Sequence, residues 1–147
     1  MASVVPLKGA SHEFPAKRMC AFLKELGLEH RDVVFKSDQE AALGDLLQEV
    51  VKKRGDARTF VEQSPVASSA SNGVIERGNL SVEGQVRVLK DAFEARLGKK
   101  VPSDHAALAW LVEFAAVLIN RYEVGHDGKT SYERRGEAVE AVGARVR

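Results

Sequence analysis

Two short runs of β-branched and aromatic residues, 31–36 (Arg31-Asp32-Val33-Val34-Phe35-Lys36) and 59–62 (Thr59-Phe60-Val61-Glu62), flank a stretch with helical periodicity. In that stretch Leu43, Leu46, Leu47, Val50 and Val51 recur at the spacing of one helix face. Lys52-Lys53-Arg54 suit the negative end of its dipole, and Gly55 follows as a stop. A helix between two strands carries the chain back to the end at which the first strand began, so the strands pair in parallel. No other feature narrows the fold as far: this is an α/β chain.

The rest of the sequence extends that layer. Residues 3–8 (Ser3-Val4-Val5-Pro6-Leu7-Lys8), closed by Gly9, are expected to form a strand. A chain that opens in a strand implies earlier strands, so the sheet is expected to lack its first members. Phe14, Met19, Phe22, Leu23 and Leu26 predict a helix over 13–26, with Ser11 as cap, Pro15 in the first turn and Gly27 as stop. Residues 64–73 read as a loop of small residues. From Val74 to residue 97 the pattern is helical, with Ile75, Val82, Val86, Leu89 and Phe93 on its apolar side. A further helix is expected from 102 to 122, apolar nearly all round, which makes the C-terminal part mainly helical. Residues 1–136 read as one domain and 137–147 as a weakly patterned tail.

Composition excludes more than it names. The chain has 147 residues, 44% of them apolar, and Lys plus Arg (22) nearly balance Asp plus Glu (21). A nucleic-acid surface must therefore come from local clustering of basic residues. The single cysteine, Cys20, rules out an internal disulfide and a multi-cysteine zinc site. The most apolar stretch, 106–120, contains Glu113 and is too short to span a bilayer. With no signal-peptide pattern at the start, the expectation is a soluble intracellular protein, nuclear or cytoplasmic and not secreted.

Two carboxylates carry the candidate chemistry. Asp38 stands just past the C-terminal end of an expected strand, where ligands collect in open α/β sheets. Glu76 falls in the first turn of the helix expected from Val74, and Asn79, Glu83, Arg87 and Lys90 follow it on one face. A strand-end acid joined by a second acid delivered from a loop is what a hard divalent cation requires. Each acid also has an ordinary explanation, a turn for Asp38 and the helix dipole for Glu76, and a solvated helix face would show the same polar stripe.

The segment 37–40 (Ser37-Asp38-Gln39-Glu40), followed by "SASNGVIERGNLSVE" at 69–83, resembles the catalytic core of retroviral and retrotransposon integrases. In that family a strand ends in Ser/Thr-Asp, and a mobile loop leads to Asn/Gln-Gly-x-x-Glu-Arg-x-Asn. Asn72, Gly73, Glu76, Arg77 and Asn79 match the second motif position by position. The stretch "HDGKTSYERRGE" at 126–137 is similar to the segment that closes such cores in retrotransposons. The resemblance implies a ribonuclease H-like fold, a mixed sheet flanked by helices, and metal-dependent phosphoryl transfer at DNA ends. Asp38 and Glu76 would be catalytic and bind Mg²⁺ or Mn²⁺, approaching each other at one edge of the sheet. Ser71, Asn72, Gly73, Arg77, Asn79, Arg87 and Lys90 would lie along DNA. The expected partners are DNA and a further copy of the chain, with no membrane and no small-molecule substrate.

The chain departs from the family pattern in several places. It offers no candidate for the family's first catalytic Asp, and His12, His30, His105 and His126 do not have the spacing of a zinc module. Gln39-Glu40 replace the usual Asn-Gly, and no Pro separates Ser131 from Tyr132. Leu80 and Glu83 occupy positions that are often Lys. Two classes of function follow: an integrase core fragment inactive on its own, or a non-catalytic module that binds nucleic acid or protein.

Overall fold

A computed structural model describes residues 1–5, 12–64 and 69–136, the side chains of 69–72 excepted. The chain divides into two compact units, Val5–Ile75 and Met1–Val4 with Glu76–Arg147.

The first unit holds the strand–helix–strand element. β1 (Val33–Ser37) and β2 (Thr59–Gln63) pair in parallel, with Val34 opposite Phe60 and Lys36 opposite Glu62. α2 (Ala41–Arg54) connects them and packs on both strands, and α1 (Glu13–Glu25) packs on α2. Ala16, Leu23, Leu47 and Val50 form the core of this unit. α1 ends in a paired turn: the Leu28 N–H donates to the Leu23 carbonyl at 2.8 Å and the Gly27 N–H to Lys24 at 2.9 Å. That geometry needs a left-handed residue, and Gly27 has φ +72°. Beside this turn Arg54 ties α2 to the starts of both strands. Its guanidinium donates to the carbonyls of Leu28 (3.0 Å) and Arg31 (2.6 Å), and also to the Thr59 hydroxyl.

The second unit is helical. It contains most of α3 (Ser69–Leu97), then α4 (Ala106–Tyr122) and a helical segment at 131–136. Val101, Leu111, Ala115 and Ala116 are its buried apolar residues. No helix among the described residues is long and apolar enough to cross a membrane.

Three expectations are corrected. Residues 3–5 form no strand, and 6–8 lie outside the described residues. A strand requires a partner, and the sheet of the described residues consists of β1 and β2 alone, whereas the Ser3 hydroxyl donates to Glu113 at 2.8 Å. The expected loop at 64–73 is overturned from residue 69 onward, because α3 begins at Ser69 instead of Val74, and 65–68 lie outside the described residues. Asn72-Gly73 reads as a turn, but without a Pro nothing forbids helix there, and Ala70 favours it. Finally, Ile75 is 63% exposed, while Val82, Val86, Leu89 and Phe93 are half-buried as expected. The observed architecture is α/β and mostly helical, with a two-stranded parallel sheet.

Candidate metal and nucleic-acid site

Asp38 directly follows β1. The ladder reaches one step beyond the strands, where the Ser64 N–H donates to the Ser37 carbonyl at 2.7 Å, and both serines are buried. The Gln39 amide donates to the Ser64 carbonyl at 3.2 Å and ties the turn after β1 to the end of β2. Asp38 itself is exposed, and its Oδ1 accepts the Glu40 N–H at 3.4 Å, an Asx-type turn that leads into α2. The strand-end position expected for Asp38 is therefore observed. With one N–H accepted, its exposed carboxylate keeps further acceptor capacity.

Glu76 is exposed in the second turn of α3, so the first-turn reading is corrected. The helix starts upstream, and attraction to its positive end falls off within the first turn. Ser71, Asn72 and Gly73 belong to the helix and not to a loop. Arg77 and Asn79 are exposed beside Glu76. Further along the same face Arg87 pairs with Glu83 at 3.4 Å. Lys90, one of the residues expected to lie along DNA, is half-buried and pairs with Glu94 at 3.6 Å. Basic residues thus line α3, but two of them already face acids of their own helix. Asp38 belongs to the first unit and Glu76 opens the second.

Among the described residues no group of three or more His, Cys, Asp or Glu side chains is placed to hold a metal ion. The donor set of the described residues does not complete a divalent-cation site.

Several important side chains gave little sequence signal. Glu94 is buried, accepts the Val101 N–H at 2.9 Å and Lys100 Nζ at 2.7 Å, and so anchors the segment after α3. Lys100 first, and then the Val101 N–H, hold its pKa down to about 2. The stretch resembling the end of an integrase core folds on itself. Thr130 and Glu133 form a capping box: the Glu133 carboxylate accepts the Thr130 N–H at 2.7 Å, and the Thr130 hydroxyl accepts the Glu133 N–H at 3.2 Å. Arg134 grips Asp127 at two points, 2.7 and 2.8 Å, which holds that carboxyl well below the usual range. A Cβ at Gly125 would meet the Arg134 guanidinium, so a side chain there would displace that group from its present position. Of these, the Thr-x-x-Glu spacing of the capping box was the one readable cue.

No protein-family model matches the chain, and no curated protein matches it with significance.

Proposed function

We propose that this chain is a DNA-binding part of an integrase-type catalytic core with a ribonuclease H-like fold. In its full-length form it would process DNA 3′ ends and join them to target DNA. The observation that carries the reading is Asp38, exposed immediately beyond the C-terminal end of the first of two parallel strands. The order of the matched residues supports it: Asp38, then Asn72-Gly73 and Glu76-Arg77 in one helix, then the folded segment around Thr130 and Glu133. This chain's own contribution is to bind and orient the duplex through Arg77, Asn79 and Arg87 on the exposed face of α3.

Lys90 is a poor test of that role because it also neutralises buried Glu94. Arg77 is the better probe. Arg77→Ala is expected to weaken binding to duplexes of any sequence and to lower the slope of log affinity against log salt by about one. Titrations at several salt concentrations measure this. An unchanged slope would mean that the α3 face is merely solvated and would favour a module that binds protein.

A further inference from the structure

The connector from α3 to α4, residues 98–105, is held at each end by a side chain bonded to a backbone N–H. At the α3 end Gly98, with φ +68°, turns the chain. The buried Glu94 carboxylate then accepts the Val101 N–H at 2.9 Å and Lys100 Nζ at 2.7 Å. At the α4 end the same task falls to an imidazole. His105 is the N-cap of α4, with extended backbone, and its Nδ1 accepts the Ala107 N–H at 3.1 Å. Its carbonyl accepts the Leu108 N–H at 2.9 Å, and its own N–H donates to the Pro102 carbonyl at 3.1 Å. The bonds that shape the start of α4 thus converge on one residue.

Histidine is not among the preferred caps, which are Ser, Thr, Asp and Asn. An imidazole nitrogen accepts only while it carries no proton, and the imidazolium has two donors and no acceptor. Protonation of His105 therefore removes the partner of the Ala107 N–H. It also sets a positive charge at the positive end of the helix dipole, so both effects oppose the first turn. The ring is exposed, and solvent protons reach it.

The charged groups about the connector do not replace the lost acceptor. Lys99 and Lys100 line a hollow at the α3 end with Asp91 and Glu94, and Lys100 is held there by Glu94. Asp104, next to His105 in the chain, favours the charged ring. It precedes the cap position, however, and would reach the Ala107 N–H only if the turn closed by Pro102 and His105 re-formed.

We propose that His105 is a pH-sensitive cap whose protonation releases the first turn of α4 in weakly acidic solution, while Glu94 still holds the other end of the connector. The bonded form is the neutral one. The cap's contribution is therefore present at higher pH and is lost as pH falls through the range in which imidazoles take up a proton, about pH 8 to 5. The connector then answers acid in two steps, the α4 end first and the Glu94 end below it. The proposal is independent of the DNA reading, and its test contains no DNA.

Hydrogen exchange at the Ala107 amide, followed by NMR on the full chain from about pH 8 to 5, reads the cap. The ring resonances of His105 read its protonation in the same samples. Corrected for the intrinsic pH dependence of exchange, protection of Ala107 should fall about fivefold as the ring becomes charged, the size of a lost cap. His105→Asn supplies an acceptor that does not titrate, so protection should stay high and flat. His105→Ala supplies none, so protection should be low and flat. Protection in the parent chain that does not follow the ring titration would overturn the proposal. So would a fall of the same size in His105→Asn.

Discussion

At position 94 a carboxylate is 6% exposed, yet it is one of the most heavily bonded groups in the second unit. It receives Lys100, Lys90 and the Val101 N–H, which lower its pKa from 4.5 to about 2. A carboxylate whose folded value is depressed stabilises the fold above its unfolded value and loses that contribution as pH falls toward the folded one. The loss should therefore fall between pH 4.5 and about 2. Glu94→Gln should lower stability near neutrality and flatten the acid limb over that window, as read from denaturant midpoints at a series of pH values. An acid limb identical to that of the parent chain would show that Glu94 is not the group being titrated. Little of this was legible in the sequence. Glu94 has the helical spacing to meet Lys90, but its bonds to Lys100 and Val101 arise only once the chain turns after Gly98. Arg54 is similar: it reads as a last-turn base and serves as a donor to three carbonyls, two between α1 and β1 and one just before β2.

Among the elements, periodicity was a sound guide wherever an apolar face had something to pack against. α1, β1, α2, β2 and α4 lie close to the expected ranges, and Gly27 stops α1 in the expected way. The reading failed where the local signal was weak or false. Asn72-Gly73 has the composition of a turn but sits inside α3, and residues 3–5 have the composition of a strand but pair with no strand among the described residues. α3 carries Gly73, Gly78 and Gly84, none at a positive φ, so its early turns are held against their propensity. Gly78 is exposed, and an added Cβ would meet nothing within 4 Å. Gly78→Ala should therefore raise stability by roughly 0.5–1 kcal/mol, seen as a higher urea midpoint with an unchanged slope. A neutral or destabilising result would mean that this part of α3 is not helical in solution.

For the molecule as a whole, the parallel sheet is the clearest measure of what the chain can do. Parallel sheets are normally covered on both faces, but here Val34 and Phe60, directly paired, are 56% and 52% exposed. Among the described residues the sheet therefore keeps these apolar side chains open, and Asp38 stands exposed just past the end of β1. Two-metal phosphoryl transfer needs carboxylates that bridge both ions and clamp the attacking and leaving oxygens. The motif match supplies Asp38 and Glu76, and the described residues assemble no group of three metal-ligating side chains. The chain should accordingly bind duplex DNA weakly, with strong salt dependence, and should neither cut nor join it when Mg²⁺ or Mn²⁺ is added. A labelled viral-end-type duplex incubated with the purified 147-residue protein and either metal provides the measurement. Metal-dependent strand transfer that disappears in Glu76→Gln would refute the expectation. It would also assign the completing carboxylate to a residue such as Glu40, beside Asp38 in the turn after β1, or Glu83, on the same α3 face as Glu76.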